Sequence, residues 1–355
     1  MPRPPEDRHR PLAVVPLVAG IGNALLCEPM LRQLAGSHRV VVMAISRPIA
    51  AVAERVPGVE VRVTGKGNKN MLAAARASRG MKPDVYLVPF PSNRWQYNIL
   101  AAASGAKRVV THVYPVGRWS ALAFLHGNRV PAVKGIHDVE QNLHLLPAVG
   151  IEPDWSMAPR FELTAADRAA AGTLLEQLGV DRPFVVVHAG SANTVLAAAK
   201  RWPPAHYAKL AEAIRDETGL DVVVVEGPDE AGVSDAIASH LIDRRAVHTA
   251  KLTCPLGVTA ALLERSRFYA GTDSGLAHLA AAVGRRAVTL FAPADPDRVC
   301  PFGQRDLVVQ PPGDTTPSFL YPWEATKPKM RFEDQRIESI TVAMVMEKVN
   351  VLVAQ

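Results

Sequence analysis

The chain of 355 residues has little cysteine, few aromatic residues and no long uninterrupted apolar run. Its three cysteines, Cys27, Cys254 and Cys300, lie far apart and form no CxxC pair. This argues against a disulfide scaffold or a zinc ribbon and favours a reducing, cytoplasmic location. The aromatic content of 6% argues against a stacking platform for single-stranded nucleic acid. Because no stretch of about 18 apolar residues occurs, we expect no transmembrane segment, although peripheral membrane contact is compatible with the sequence.

The N-terminus has three arginines within its first ten residues, followed by an apolar run over residues 12–19. This order also occurs in secretory signal peptides. Here Pro16 interrupts the apolar run, and no A-x-A cleavage pattern follows it. We therefore predict a disordered tail that leads into the first core strand.

The remaining composition is that of a globular protein large enough for about two domains. Hydrophobic residues make up 48% of the chain and charged residues 21%. The 40 lysines and arginines exceed the 34 aspartates and glutamates, which gives a net charge of +6. A modest excess of this kind fits an anionic ligand such as a nucleoside diphosphate and does not single out nucleic acid.

Short β-branched runs alternate with helical segments along both halves of the chain. Strands are predicted at residues 12–18, 40–44, 59–63, 85–88, 108–111, 184–188, 221–226, 268–271 and 287–291. Helices are predicted at residues 24–34, 70–79, 138–146, 165–178, 203–218, 229–241, 255–266, 275–283 and 340–353. Buried strands separated by helices indicate an α/β fold with two Rossmann-like, doubly wound domains and a cleft between them.

We assign residues 1–165 to an N-terminal domain and 166–335 to a C-terminal domain. Residues 336–355 form a last helix that we expect to pack back toward the N-terminal domain. Ligands of such sheets bind at the carboxyl ends of the strands.

The first candidate site follows a strand and opens a helix. Asp273 and Ser274 stand before Gly275, and His278 follows Ser274 by four residues, which places both on one helix face. Free amide groups and the helix dipole favour an anion there. The alternative is a plain N-terminal cap with His278 as a packed core residue.

Two further strand ends carry candidate residues. Gly190 and Ser191 follow one strand, and their small size allows close backbone approach, while Lys200 supplies a point charge suited to phosphate. The alternative is a polar loop before a proline-initiated helix. Glu230 follows another strand at a position where carboxylates often bind ribose hydroxyls. An exposed helix-capping acid is the alternative for Glu230.

These three features together resemble glycosyltransferase family 9, the ADP-heptose:lipopolysaccharide heptosyltransferases. The Lys-Arg-Trp-Pro motif at residues 200–203 and the Asp-Ser-Gly-Leu-Ala-His motif at residues 273–278 are the most specific. Residues 20–32 resemble the first loop and helix of the family, residues 134–150 its interdomain-side helix, and residues 292–296 a later loop. The resemblance therefore covers most of the chain.

The resemblance implies a GT-B fold and an inverting, metal-independent transfer of a sugar from a nucleotide donor, with no cofactor. The N-terminal domain would bind the acceptor and the C-terminal domain the nucleotide sugar. Gly190, Ser191 and Lys200 would then lie against the diphosphate and Glu230 against the ribose. Asp273 would contact the donor sugar. The backbone at Ser274 and Gly275, with His278 nearby, would hold phosphate. The partners implied are a nucleotide-sugar donor and a glycolipid or small-molecule acceptor, the latter including a secondary metabolite.

The chain departs from the family in its first loop, on the acceptor side. Family members usually carry the proposed catalytic base, an aspartate, after Gly-x-Gly, and here Asn23 follows Gly22. A neutral amide does not accept the acceptor's proton at neutral pH, although Asn23 can orient the hydroxyl. Asp138 and Glu140 are the family-matched carboxylates that could replace it, with Glu28 as a third option.

The departure also supports an alternative function, a non-transferring GT-B protein such as a sugar-nucleotide epimerase or a nucleotide-sugar-binding protein. An NAD-dependent oxidoreductase has little support, because Leu25 stands where the third glycine of a dinucleotide fingerprint belongs. We predict no metal site and interpret the Asp-Pro-Asp sequence at residues 295–297 as a turn.

Overall fold

The computed structural model describes residues 9–65, 67–91, 95–114, 125–191, 197–318 and 334–354. The chain passes from one compact unit to another between Pro159 and Arg160, close to the predicted boundary after residue 165. Most of the predicted N-terminal tail lies outside the described residues. The two units have the same kind of architecture, a parallel sheet with helices.

The N-terminal unit contains a six-stranded sheet in the order β3-β2-β1-β4-β5-β6. Its strands are β1 (Leu12–Leu17), β2 (Arg39–Ala44), β3 (Val59–Val63), β4 (Val85–Leu87), β5 (Arg108–Val113) and β6 (Asn128–Pro131). Its helices are α1 (Ile21–Ser37), α2 (Arg47–Ala53), α3 (Asn68–Met81), α4 (Trp95–Ala103) and α5 (Asp138–Leu143). Each neighbouring pair of strands is parallel.

The C-terminal unit contains a second parallel sheet in the order β12-β11-β10-β7-β8-β9. Its strands are β7 (Phe184–His188), β8 (Asp221–Glu226), β9 (Val247–Lys251), β10 (Tyr269–Thr272), β11 (Ala287–Leu290) and β12 (Val308–Val309). Its helices are α6 (Ala165–Leu178), α7 (Ala197–Lys200), α8 (Pro204–Thr218), α9 (Val233–His240), α10 (Leu256–Arg265), α11 (Gly275–Ala282), α12 (Pro296–Val299) and α13 (Val342–Val353).

The central strands form where the sequence is apolar without interruption. β1, β7 and β8 are buried along their whole lengths, because helices cover both faces of a parallel sheet. In both units the strand order reverses beside the first strand, between β1 and β4 and between β7 and β10. Ligands of doubly wound sheets bind at this switch point, so the order alone marks two places for a site. The predicted α/β fold of two Rossmann-like domains is confirmed.

The last helix belongs to the core of the C-terminal unit. Val345, Met346 and Val349 of α13 are buried in the cluster that also holds Trp202. The Trp202 indole donates a hydrogen bond of 2.9 Å to the Ile340 carbonyl just before this helix. Residues 336–354 are thus an integral part of the C-terminal core rather than the separate segment that the sequence predicts. Their predicted packing toward the N-terminal domain stays a prediction.

Several elements differ from the predicted ones for local reasons. The helix predicted over residues 24–34 is longer at both ends, because Gly20 is the N-cap and α1 spans Ile21–Ser37. Strands β6, β9 and β12 were not predicted from the sequence. Polar residues interrupt the apolar residues of β6 and β9, and β12 has only two residues, which is too short for a recognisable pattern. The predicted helix over 229–241 is a 3₁₀ turn at Pro228–Glu230 followed by α9.

Candidate active site

Three loops of the C-terminal unit bring polar side chains together at the carboxyl ends of neighbouring strands. The loops follow β7, β8 and β10, so they meet at the switch point of the second sheet. The polar residues gathered there are His188, Ser191, Lys200, Glu230, Asp273 and Ser274. Apart from His188, all of them are predicted site residues.

A buried histidine–carboxylate pair lies at the centre of this site. His188 Nε2 is 2.8 Å from Glu230 Oε2, and the exposed fractions of the two side chains are 2% and 7%. The Gly227 amide donates a second hydrogen bond, of 3.1 Å, to the same carboxylate oxygen. Burial raises the pKa of Glu230, but the hydrogen bond and charge of His188, with the Gly227 amide, outweigh it and lower that pKa. Glu230 is therefore an ionised, buried acceptor rather than an exposed helix cap.

The other side of the His188 ring contacts the hydroxyl at the start of α11. His188 Nδ1 is 3.2 Å from Ser274 Oγ and 3.3 Å from the Tyr269 hydroxyl. Ser274 is the N-cap residue of α11, yet its side chain makes no capping hydrogen bond. The amides in the first turn of α11 thus lack this side-chain cap, which leaves a local positive potential suited to an anion.

Lys200 and Asp273 form an ion pair beside that helix terminus. Lys200 Nζ is 2.5 Å from Asp273 Oδ2 and 3.4 Å from the Asp273 carbonyl oxygen. The exposed fractions are 22% for the lysine side chain and 7% for the aspartate. Trp202, packed edge-on against Tyr207 at 5.0 Å between ring centroids, fixes the chain two residues after Lys200. The Lys-Arg-Trp-Pro motif therefore places a cation at the strand ends by burying its tryptophan.

Close backbone packing requires glycine at two positions of this site. A Cβ atom on Gly190 would lie 1.9 Å from the Glu230 carboxyl carbon. A Cβ atom on Gly271 would lie 2.2 Å from the His188 carbonyl oxygen. Thr272 Oγ1 donates to the Gly190 carbonyl and joins the two loops. The absence of side chains at these glycines is what allows His188 and Glu230 to pack against the strand ends.

The remaining predicted residues lie around this centre. Ser191 is buried, and its carbonyl accepts a hydrogen bond of 3.3 Å from Arg201. Gly275 is the first residue of α11, and His278 is buried one turn further along the same helix. The burial of His278 agrees with the packed-core alternative for that residue. The site as a whole combines one lysine, an open helix terminus and two buried carboxylates, a set that can bind an anion beside a polyhydroxylated group.

The N-terminal unit has a small pocket at its own switch point, between the ends of β1 and β4. Gly22 and Asn23 lie in the first turn of α1, and Asn23 lines the pocket. The lining residues are Leu17, Val18, Ala19, Asn23, Ala24, Cys27, Pro89, Phe90 and Pro91. No carboxylate stands among them, so Asn23 supplies the polar side chain of this pocket in the part of the chain that the structure describes.

The carboxylates predicted as replacement bases have structural contacts of their own. Asp138 is buried as the first residue of α5, and its charge adds to burial in raising the pKa of Cys27. Glu140 accepts a hydrogen bond of 2.9 Å from the His137 amide in a capping box. Glu28 pairs with Arg32 at 2.9 Å. Their catalytic roles stay predictions.

His188 and Tyr269 are members of the site to which sequence reasoning gave no role. His188 ends β7, and Tyr269 begins β10, the strand paired with it. The signal available was a histidine at the end of a valine-rich strand, two residues before the predicted residue Gly190. A single sequence does not reveal that its ring touches two other loops.

The described residues contain neither a metal-binding cluster nor a membrane-spanning helix. Among those residues, no group of His, Cys, Asp and Glu side chains lies together in a way that could hold a metal ion. Asp295 accepts from the Asp297 amide at 3.0 Å as the cap of α12, and Asp297 pairs with Arg305, which agrees with the predicted turn. No helix described here is long and apolar enough to cross a bilayer.

Comparison with known proteins gives one family match. The model of glycosyltransferase family 9 (heptosyltransferase) matches residues 100–325, well over half of the chain. A curated relative, lipopolysaccharide heptosyltransferase 3 of Escherichia coli K12, is 27% identical over 240 residues. The match covers 64% of this chain and 64% of that relative, slightly under two thirds of its length.

Two solved structures resemble the chain over almost its whole length. One is a glycosyl transferase family 9 protein of Veillonella parvula, with a TM-score of 0.80, 18% identity and 97% coverage of both chains. The other is ADP-heptose lps heptosyltransferase II of E. coli, with a TM-score of 0.75, 20% identity and coverage of 97% and 98%. At these identities the likeness shows the fold, and that fold is the predicted GT-B arrangement of two parallel-sheet domains.

Proposed function

Because the chain belongs to glycosyltransferase family 9, the heptosyltransferases, we propose that it transfers a sugar from a nucleoside diphosphate to an acceptor hydroxyl. The observation that carries this proposal is the Lys200–Asp273 pair at the open N-terminus of α11, next to the buried Glu230. One cation and one helix terminus suit a diphosphate, and two carboxylates suit the hydroxyls of ribose and sugar.

In this proposal the donor occupies the C-terminal site in a defined orientation. Ser191, Lys200 and the amides at Ser274 and Gly275 bind the diphosphate, with Gly190 and His278 close by. Glu230 binds the ribose, and Asp273 binds the transferred sugar. Lys200 and Asp273 pair at 2.5 Å, and a bound diphosphate takes over part of the lysine's contact. The exchange leaves the aspartate with hydrogen-bonding capacity for sugar hydroxyls.

The reaction is a single displacement with inversion and without a metal ion. The acceptor oxygen forms a bond to the anomeric carbon while the bond from that carbon to the phosphate oxygen breaks. The nucleoside diphosphate leaves with the electron pair, and negative charge grows on its terminal phosphate. Lys200 and the dipole of α11 stabilise this charge, a type of contribution worth roughly 10²-fold in rate. The acceptor proton passes to a nearby base or to solvent.

The substrate class follows from the named relatives. The similar E. coli structure is an ADP-heptose lps heptosyltransferase, and the curated relative is a lipopolysaccharide heptosyltransferase. We therefore propose ADP-heptose as donor and a hydroxyl of a lipopolysaccharide core as acceptor. The acceptor binds at the Asn23 pocket of the N-terminal unit. No disulfide joins Cys27, Cys254 or Cys300, which supports a cytoplasmic reaction.

Calorimetric titration with ADP and ADP-heptose, in EDTA, tests the donor assignment. We expect both to bind, and ADP-heptose to bind more tightly because Asp273 adds a sugar contact. Asp273→Ala should remove this difference while leaving ADP binding within about twofold. Binding that EDTA abolishes and Mg²⁺ restores would refute the metal-free donor site.

A second candidate function rests on Asn23, which stands where the family usually carries its base. A nucleotide-sugar-binding or epimerase protein would bind the donor and not transfer it. Donor consumption with a supplied acceptor separates the two, since transfer yields one ADP for each glycosylated acceptor. Tight donor binding with conversion to an isomeric nucleotide sugar would favour the epimerase.

A further inference from the structure

We infer that His188 is a positioning residue that holds Glu230 and Ser274 in one fixed arrangement. The inference rests on the proposed donor site and goes beyond it, because His188 itself need not touch the donor. Its ring bridges two loops, with Nε2 2.8 Å from Glu230 Oε2 and Nδ1 3.2 Å from Ser274 Oγ. One side chain thereby links the proposed ribose contact to the proposed phosphate contact.

The hydrogen-bonding roles of the ring follow from its partners. Glu230 has a lowered pKa and is an ionised acceptor, so His188 Nε2 carries the proton and donates it. On the other side of the ring, Nδ1 lies 3.2 Å from Ser274 Oγ, within hydrogen-bonding distance of that hydroxyl. The Tyr269 hydroxyl, 3.3 Å from Nδ1, donates instead to the Thr272 carbonyl at 3.2 Å. The ring therefore orients the carboxylate through one nitrogen and the serine through the other.

The backbone of His188 gives this arrangement its rigidity. His188 is the last residue of β7 and pairs with Gly271 of β10 in the sheet register. The Gly271 position has no room for a Cβ atom, which would lie 2.2 Å from the His188 carbonyl oxygen. A ring that is 2% exposed and attached to a central strand has little freedom to turn. Its two partners are thus held relative to the sheet rather than only by their own loops.

Removing the His188 ring should weaken the contact of Glu230 with ribose, an effect that a residue used only for packing would not produce. Without His188, Glu230 Oε2 keeps the hydrogen bond from the Gly227 amide and loses the one from the ring. A buried carboxylate with fewer donors reorients or takes up a proton, and either change weakens its hydrogen bonds to ribose hydroxyls. The variant protein should therefore distinguish poorly between nucleotides with and without those hydroxyls, even where its fold is intact.

Two conservative variants test the contacts of the two ring nitrogens separately. In His188→Gln the amide group reaches roughly the place of Nε2, and in His188→Asn it reaches that of Nδ1. Isothermal titration gives the dissociation-constant ratio of 2′,3′-dideoxy-ADP to ADP, which reports the ribose contact. The ratio of adenosine to ADP reports the diphosphate contact. Both ratios are measured in EDTA for the wild type, His188→Gln, His188→Asn, His188→Ala and Glu230→Gln.

We expect His188→Ala to lower both ratios about tenfold, the effect of one hydrogen bond to a charged group. His188→Gln should retain most of the ribose ratio, and His188→Asn most of the diphosphate ratio. Equal losses in both conservative variants, or ratios unchanged in all three, would overturn the positioning role. If Glu230→Gln leaves the ribose ratio unchanged, the proposed donor orientation is wrong. If Glu230→Gln lowers it and the His188 variants do not, the donor site stands and the role of His188 is wrong.

Discussion

The Lys200→Ala variant removes the cation that pairs with Asp273 at the end of β10. The lysine Nζ lies 2.5 Å from the aspartate carboxylate, and 22% of its side chain is exposed. In the proposed reaction this ammonium faces the diphosphate, where negative charge grows in the transition state. Removing one such contact typically lowers the rate by roughly 10²-fold. Two tenfold steps correspond to about 2.7 kcal/mol of transition-state stabilisation.

The same substitution affects stability, because it leaves a carboxylate that is 7% exposed without its cation. Such a group costs about 1–3 kcal/mol of unfolding free energy when it loses a partner. The double variant Lys200→Ala/Asp273→Asn removes the unpaired charge and should recover part of this loss without recovering activity. Thermal unfolding of the single and double variants measures the stability part separately.

The assay compares kcat/KM for donor consumption below the unfolding range of every variant. Lys209→Ala is the matched control, since Lys209 is an exposed lysine on α8 of the same unit. We expect a roughly 10²-fold fall for Lys200→Ala and less than a twofold change for Lys209→Ala. A folded Lys200→Ala protein with kcat/KM within twofold of the wild type would refute the role of Lys200.

Four further predictions follow from particular contacts. Trp202→Ala should cost about 3–5 kcal/mol of unfolding free energy, measured by urea titration, because it empties a core position; a change below about 1 kcal/mol would contradict this packing. Gly190→Ala should weaken ADP binding at least tenfold, since its Cβ would overlap Glu230; unchanged calorimetric affinity would contradict the close approach. Asn23→Asp should raise the transfer rate roughly tenfold by supplying a base; a fall with intact donor binding would assign Asn23 to acceptor binding. Arg336 lowers the pKa of the Asp334 carboxyl to about 2 in the folded protein, whereas the pKa of an aspartate in the unfolded chain is near 4. The ionised Asp334 therefore stabilises the fold above about pH 4, and this stabilisation is lost as the pH falls toward 2. The unfolding temperature should therefore fall between about pH 5 and pH 2 by less in Asp334→Asn than in the wild type, and equal losses would refute the linkage.

The sequence predicts the fold well where hydrophobic patterning is strong. Residues 184–188 and 221–226 match β7 and β8 to the residue, because uninterrupted valine-rich runs have no alternative to a buried parallel strand. The helix over residues 165–178 also matches α6, whose capping box between Thr164 and Asp167 marks its start. Strand β9 could not be predicted in this way, since it lies next to β8 at the sheet edge and carries polar residues.

The sequence predicts which residues form the site better than it predicts which of them contact each other. The three motifs at strand ends lie close to each other in the structure, because carboxyl ends of parallel strands share one edge of the sheet. The Lys200–Asp273 and His188–Glu230 pairs join residues 73 and 42 positions apart, and no local pattern encodes such pairing. For Glu230 the alternative of an exposed helix-capping acid is half right: the side chain caps the 3₁₀ turn through the Gly227 amide, but it is buried and bonded to His188.

Transfer itself is the most direct test of the central claim. Purified protein is incubated in EDTA with ADP-heptose and a lipopolysaccharide that lacks core heptose, and the acceptor is analysed by mass spectrometry alongside ADP release. We expect an acceptor heavier by one heptose residue, with one ADP formed per transfer, and roughly 10²-fold slower formation of both products in Lys200→Ala but not in Lys209→Ala. Donor that binds at the C-terminal site while neither product forms in the wild type would contradict the proposed transfer.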